Sequence, residues 1–279
     1  MKQYHNLVKL VMERGTRKKT RTGVDTISYF GAFYKVDLSK GFPLLTTKKM
    51  QWKSLLYEVL WYLSGENHIR NLREHTKIWD AWADEDGNLE TAYGYYWRHF
   101  PSAQKDKEGQ WQVKEVDQIQ YVIDEIKRNP SSRRLVVTAW EPGNATTSKL
   151  PPCHYSFVFN VNNGKLNCHL TQRSGDIALG IPFNLAAYSL LTQVIAQQVD
   201  LEAGEFAHTI IDAHIYVAAE GSETENYDHL VGLKEQLTRE PLALPKLRIK
   251  DKPLDELRFE DFELINYQHH DKITFEVAV

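Results

Sequence analysis

Apolar positions along the chain repeat with two periods. Residues 3–14 place Leu7, Leu10 and Val11 on one face of a helix, while residues 51–63, QWKSLLYEVLWYL, are apolar almost all round. The first pattern predicts an amphipathic helix and the second a buried one. Residues 116–128 predict another helix, which stops before Asn129-Pro130. Residues 183–199 follow Pro182, a residue suited to a helix start, and residues 228–239 predict a further helix. Alternating or β-rich runs predict strands at 24–38, 134–140, 154–161, 165–173, 207–216, 246–250, 261–267 and 272–278. The NNGK at 162–165 predicts a tight hairpin between the third and fourth of these. The mixture predicts an α+β fold, a mixed and mostly antiparallel sheet packed by long apolar helices. The chain carries no internal repeat, low-complexity block or long flexible linker, so residues 1–279 are expected to form a single domain.

Strand alternation separates the two cysteines of the chain. In KLNCHLTQR (165–173), Leu166, Cys168, Leu170 and Gln172 share one face, and Asn167, His169, Thr171 and Arg173 the other. Cys168 thus belongs to an apolar row and reads as an inert core thiol. Cys153 follows Pro151-Pro152 and the long turn-rich stretch EPGNATTSKLPP (141–152), at the mouth of a strand. Loops of that length are often functional. Cys153 therefore reads either as a nucleophile on a stiff turn or as a small hydrophobe. A free thiol is only slightly ionised at neutral pH, so a nucleophile needs a cationic neighbour; Arg173 and Arg134 are the candidates.

Composition narrows the function classes. The chain has 34 Lys and Arg against 37 Asp and Glu, a net charge of −3, so no global signature of nucleic-acid or membrane binding is present. Two cysteines make no disulfide framework. The amphipathic N-terminus lacks the apolar run of a signal peptide, and no apolar stretch approaches the roughly 20 residues of a bilayer span. The expected location is the cytoplasm, with no membrane partner and no need for nucleic acid. Local anion sites are nevertheless legible in three places: Arg133 and Arg134 in SSRR, Arg173 and Ser174 in QRSGD, and Arg21 in TRTG. Arginine forks hold phosphate in bidentate fashion, although any one of these alone also reads as a solvated surface residue. Neither a GxxxxGK[ST] loop nor a strand-linked GxGxxG is present.

Taken together and in order, RTG, IWDAWADEDG, SSRR, PPCHY and QRSGDIALGIPFNLAAY give the chain a close resemblance to the folate-dependent, cysteine-nucleophile thymidylate synthase family, within a superfamily that includes dUMP and dCMP hydroxymethylases. The resemblance runs from YHNLVKLVMERGTR to the C-terminal FEVAV. It implies the thymidylate synthase fold and a methyltransferase that converts dUMP to dTMP, with 5,10-methylenetetrahydrofolate donating both carbon and hydride and leaving as dihydrofolate. It implies no metal. Uracil C5 is a poor nucleophile; a thiolate adding at C6 makes an enolate whose C5 can attack the folate carbon. By resemblance Cys153 is that thiol, and Arg173 both contacts the phosphate and favours the thiolate. Arg21, Arg173 and Ser174 match phosphate ligands of the same subunit, and Arg133 and Arg134 match ligands given by the other subunit of a homodimer.

The resemblance also assigns residues whose local readings differ. Asn184 matches the pyrimidine reader, since an amide accepts from uracil N3–H and donates to O4; locally it also reads as a helix N-cap. His214 and Tyr216 match groups on the deoxyribose 3′-hydroxyl, and locally read as a strand pair. Glu58, within the apolar helix, matches an organiser of proton transfer, and burial would raise its pKa; its bland reading is an exposed helix residue. Tyr93 matches a residue that assists removal of the C5 proton, and Asp176 one that binds the pterin. Ile78, Trp79, Leu179, Gly180 and Phe183 match the folate wall, although Trp79 and Trp82 also read as core. Val279 ends a tail that folds over the bound ligands, and Lys48 is a weaker match for the folate glutamate tail. Three departures stand out. VAAEGSETENYDHL after Tyr216 is some ten residues longer than usual and reads as a surface loop away from the site. Gly175 stands where many members carry a second cysteine, and Asp25 where glycine is common. A hydroxymethylase, a cysteine hydrolase using Cys153 and His214, and a noncatalytic nucleotide- or RNA-binding regulator remain as rival readings.

Overall fold

The computed structural model describes residues 1–279 except Arg21, Thr22, Thr91, Glu220, Ser222, Glu223, Ala278 and Val279. In chain order the elements begin with helix α1 (Lys2–Arg14), strands β1 (Thr16–Lys18) and β2 (Asp25–Asp37), and helices α2 (Trp52–Ser64), α3 (Arg70–Arg73) and α4 (Tyr93–Arg98). A hairpin of β3 (Phe100–Lys105) and β4 (Trp111–Val116) leads to α5 (Gln118–Arg128), β5 (Val136–Thr138) and the short α6 (Asn144–Thr147). Then come β6 (Ser156–Asn162), β7 (Lys165–Asp176), α7 (Gly180–Gln198), β8 (Glu202–Val217), α8 (Leu230–Thr238), β9 (Lys246–Ile249) and β10 (Phe262–Ile265).

Six strands form the main sheet in the order β1-β2-β8-β7-β6-β5, antiparallel throughout except for the parallel β7–β8 pair. The α+β expectation and its mostly antiparallel sheet hold. The hairpin at 162–165 forms as the sequence predicts, with Asn163 and Gly164 both at positive φ (51° and 72°). Helix α7 buries residues on all sides, from Ile181 through Ile195, and packs between β7–β8 and α2. Helix α1 covers β2 with Tyr4, Leu7, Val8 and Val11. The opposite face of the sheet is open in this chain, where Phe30 and Phe33 are 82% and 56% exposed.

Alternation along the central strands carries a shared irregularity. On β7 the buried positions are Leu166, Cys168, Leu170 and Gln172, as predicted, and then Gly175. On β8 the helix-facing row runs Gly204, Phe206, His208 and Ile210, and then Ala213, Ile215 and Val217, while His214, between two of these, is also buried. On β2, Val36, Tyr34 and Ala32 are followed by Tyr29, packed partly buried on the same core. Gln172 pairs with Ile210 and Ile210 with Ala32, while Gly175 pairs with Ala213 and Ala213 with Tyr29. The in–out pattern thus slips by one residue at the same level on three neighbours. Gly175 fits that crowded row because a Cβ there would lie 2.6 Å from Ile181 and 2.9 Å from Ile210. This packing explains glycine where a second cysteine was a family expectation.

Several expectations change. The predicted strand at 272–278 is absent over 272–277, which join no sheet, and 134–140 shortens to β5. The β3–β4 hairpin is not predicted because both its faces are largely exposed, leaving no hydrophobic alternation to read. Helix α4 is one aromatic run of six residues, too short for a helical period to declare itself. Helix α7 begins three residues before the predicted start, so Pro182 lies in its first turn, where a missing N–H costs nothing, and Asn184 lies inside the helix rather than at its cap.

Helices α2 and α4 cross at Gly94, where a Cβ would overlap the Tyr62 backbone. Alanine is the better helix former, yet Gly94→Ala should lose at least about 2 kcal/mol of stability in denaturant titration, because the crossing would have to open. A loss under about 0.5 kcal/mol would show that the two helices are not held this closely.

Candidate active site

The slip in the sheet places successive residues of β7 and β8 beside a cleft of about 540 Å³. Its walls include the polar residues Cys153, Glu58, Arg173, Ser174, Asp176, Asn184, His214 and Tyr216, together with the apolar Ile78, Trp79, Trp82, Leu179 and Phe183. Gly180 also borders it. A groove of about 630 Å³ on the far side of α2, between Leu60, Leu254 and Phe259, is larger. It gathers no thiol, and its Arg98 is already paired with Asp117 and Asp255. The chemistry therefore concentrates in the smaller cleft.

Cys153 sits in the loop before β6, fixed from two directions. Its backbone N–H donates to the Tyr93 hydroxyl (2.8 Å), and its carbonyl accepts from the Arg173 backbone N–H (2.8 Å). The Arg173 guanidinium folds back on the loop, donating through Nε to the Pro152 carbonyl (3.0 Å) and through Nη2 to Pro151 (2.6 Å). Burial pushes the Cys153 thiol above its usual pKa, against the opposing pull of Arg173 and Tyr93. Burial pushes the core thiol of Cys168 further, to about 12. Of the two cationic candidates only Arg173 stands by the thiol. Arg134 and Arg133 are exposed and do not line this chain's cleft.

His154, next in the chain, is no base for the thiol. Burial pulls its pKa to about 3, its Nδ1 is 2.7 Å from the Tyr188 hydroxyl, and its ring stacks on Tyr93 at 3.6 Å. Tyr93 itself is buried, its hydroxyl held well above the usual pKa by desolvation first and by the neighbouring thiol.

Glu58 reaches the cleft from α2. Its Oε1 accepts from the Tyr62 hydroxyl (2.9 Å), one turn along the helix, and from Trp79 Nε1 (2.8 Å). Desolvation raises its pKa from 4.5 to about 7, only partly offset by those two donors. The exposed-helix reading of Glu58 is thereby replaced by a half-buried, hydrogen-bonded carboxyl.

Asn184 projects from α7, and a polar chain behind it sets its amide. Gln172 Nε2 donates to Asn184 Oδ1 (3.1 Å) and to the Ser174 carbonyl (2.9 Å). Its Oε1, which can only accept, faces His208 Nε2 at 3.0 Å, so that nitrogen carries the proton. His208 Nδ1 then accepts from the Tyr34 hydroxyl (2.9 Å), and burial keeps the imidazole neutral with a pKa of about 3. Gln172 and His208 were not singled out by sequence, because on the buried face of a strand they look like core spacers.

Asp176 ends β7. Its Oδ1 accepts from the Ala178 N–H (2.9 Å), and its carboxyl pKa is lowered, with His229 and His214 outweighing desolvation. His214 and Tyr216 stand two residues apart with ring centres 5.2 Å apart, and His214 Nδ1 is 3.1 Å from the Asp212 carbonyl. Lys48 does not open on the cleft. Its ammonium is buried, donates to the Ala178 carbonyl (2.6 Å) and lies 4.7 Å from the Phe275 ring centre, with its pKa lowered to about 8 by desolvation. Arg21 and Val279 lie outside the described residues, although Val277 of the same tail borders the cleft.

A thiol, a neutralisable carboxyl, a fixed amide and an arginine facing an aromatic wall define the class of site that can add a nucleophile to a flat polar ring. The thymidylate synthase family model matches residues 2–279, and the chain belongs to that family, one of methyltransferases. A thymidylate synthase of Haloferax volcanii is 48% identical over 326 aligned positions, covering 98% of this chain and 95% of that protein. No helix among the described residues is long and apolar enough to cross a membrane.

The raised pKa of Glu58 has a consequence for stability. The unfolded chain loses this proton near 4.5 and the folded one near 7, so stability falls as pH rises from about 4.5 and the loss is complete above about 7. Glu58→Gln keeps an oxygen for Tyr62 and Trp79 but does not titrate. Relative to the parent, it should gain roughly 1–3 kcal/mol between about pH 5 and about pH 8 in paired denaturant titrations, the range allowing for partial exposure to the cleft. A difference that stays flat across that interval contradicts the raised pKa.

Proposed function

We propose that this chain catalyses the reductive methylation of dUMP to dTMP by covalent catalysis from Cys153. The observation that carries this reading is the convergence of Cys153, Glu58, Arg173 and Asn184 on one cleft with a broad apolar wall. Arg173 and Ser174, with Arg21, bind the phosphate. Arg173, which already stands beside the thiol, favours its loss of a proton to solvent, and the resulting thiolate is the nucleophile. Asn184, its oxygen oriented by Gln172, accepts from uracil N3–H and donates to O4. Cytosine would present the reverse pattern to the same amide, which favours dUMP. His214 and Tyr216 bind the deoxyribose hydroxyl.

Cys153 Sγ then forms a bond to C6 as the C5=C6 π bond opens and its electrons move toward O4. A carboxyl with a pKa of about 7 can supply a proton there at neutral pH and recover it later, which suits Glu58. Tyr93, buried beside Cys153, assists removal of the C5 proton. Once C5 carries the transferred carbon and that carbon has accepted hydride, its electrons restore the C5=C6 bond and Sγ departs as thiolate.

5,10-Methylenetetrahydrofolate supplies the carbon unit and the hydride. The residues present fit such a ligand: Trp79, Trp82, Leu179 and Phe183 are partly buried, Ile78 is 40% exposed, and all five line the cleft. Flat rings of this kind pack a pterin, and the ionised Asp176 offers it an acceptor. Trp79 serves twice, since its indole N–H also holds Glu58.

The chain acts as a homodimer in which each subunit lends Arg133 and Arg134 to the other's phosphate site. Support comes from the open sheet face bearing Phe30 and Phe33 and from the position of both arginines outside their own cleft. Exposed apolar patches of this kind mark contact surfaces.

With dUMP and methylenetetrahydrofolate the parent should form dTMP and dihydrofolate, and Cys153→Ala should lose activity by at least about 10³-fold. Robust dTMP formation by that variant would refute the covalent step. The shared site has its own test. Cys153→Ala and an Arg133→Ala/Arg134→Ala chain, each inactive, should regain about a quarter of parental activity when their subunits are mixed at random, because half the dimers then carry one intact site. No recovery after proven subunit exchange means that the arginines serve their own chain.

A further inference from the structure

The polar segment after β8, expected to lie away from the site, ends beside it, behind Asp176. His229, just before α8, is 1% exposed. Its backbone N–H donates to the Tyr216 carbonyl (3.0 Å). Its Nε2 lies 2.9 Å from the Glu276 carbonyl, and a carbonyl only accepts, so Nε2 carries a proton and donates. Among the described residues this is the one hydrogen bond that ties 272–277 to the rest of the molecule. The ring stands edge-on to Phe275 (5.1 Å between centres) and to Tyr216 (5.7 Å). Its Nδ1 faces Asp176 Oδ1 at 3.7 Å, beyond hydrogen-bond reach, and is buried without another partner. The tail packs on α8 at Gly232, where a Cβ would come within 2.7 Å of the Phe275 ring and 2.9 Å of Ile273.

We propose that His229 is a positioning residue that holds the C-terminal tail in register over the folate side of the cleft and ties that register to the Asp176 carboxylate. One rigid ring touches both. Its Nε2 fixes the carbonyl next to Val277, which borders the cleft, while its Nδ1 senses where Asp176 stands. A ligand that draws on Asp176 therefore acts on the same imidazole that anchors the tail. Phe275 covers the buried Lys48 ammonium, so release of the tail also uncovers a cation beside Asp176. The inference rests on the reading of Asp176 as the folate carboxylate, but its anchoring half stands without any ligand.

Three substitutions separate the functions of the ring. His229→Gln can place an amide N–H near the Nε2 position and keep the tail bond. His229→Asn reaches only the Nδ1 position. His229→Phe keeps the ring cage and loses both nitrogens. The backbone order parameters of residues 273–277 in the unliganded enzyme, read by ¹⁵N relaxation, should fall below about 0.6 in His229→Phe and His229→Asn while those of the parent stay near the rigid value of about 0.85. The KM for methylenetetrahydrofolate should rise roughly five- to tenfold, the scale of one neutral hydrogen bond, while the Kd for dUMP stays within about twofold. His229→Gln should restore most of the order and of the KM. Unchanged order and KM in His229→Phe, or glutamine failing as fully as phenylalanine, would overturn the proposal. If His229→Phe does not fold, Gly232→Ala probes the same tail from its packing side and should loosen it likewise. A parent that does not turn over dUMP with folate would defeat the functional reading alone, and the order parameters would still decide whether His229 anchors the tail.

Discussion

At the level of Gln172, Ile210 and Ala32 three neighbouring strands point side chains into the helices, and three residues on, at Gly175, Ala213 and Tyr29, they do so again. A strand alternates with period two, so a spacing of three forces each strand to turn by one position at the same height. Without that slip Ser174 would fall on the helix-facing side, and Asp176 and His214 with it. With it, Arg173 and Ser174 stand side by side at the cleft, followed by Asp176 on β7 and by His214 and Tyr216 on β8. The parallel pairing of β7 and β8 brings Asp176 opposite His214. Gly175 completes the arrangement by leaving room for Ile181 and Ile210 where the rows crowd.

Burial sets the chemical state of the groups on this frame. The thiol of Cys153 and the carboxyl of Glu58 are both pushed toward their neutral forms, and in both cases desolvation outweighs the nearby donors or cations. A neutral thiol at rest is protected from casual oxidation and alkylation, and a neutral carboxyl can donate. Asp176 goes the other way because His229 and His214 outweigh its burial. One cleft thus holds carboxyl groups in opposite states, which is how a single site can provide both a proton donor and a fixed anion.

The sequence made much of this legible where a physical signal was strong. Cys168 was separable from Cys153 because strand parity is a two-residue signal, and it sits in the apolar row as read. Glu58 stood out because a carboxylate in an apolar helix needs a reason. Other features left no local trace. Gln172 shares the buried row with Leu170 and looks like its filler, and only the fold shows that it holds Asn184 and His208. The β3–β4 hairpin has two wet faces and therefore no pattern. His229 was hidden by its neighbours, since a polar stretch reads as surface although its last residue turns inward beside Asp176. Arg133 and Arg134 show the opposite limit: their convergence with the thiol was a family expectation, and a single chain leaves them apart.

The central claim is that Cys153 bonds to C6 of the pyrimidine. The most direct measurement is the ¹³C resonance of dUMP labelled at C6, bound to the enzyme together with a folate analogue that cannot transfer carbon. The account predicts that C6 moves from the olefinic to the saturated range on the parent enzyme and stays olefinic on Cys153→Ser at neutral pH. A C6 signal that remains olefinic on the fully occupied parent enzyme would contradict it.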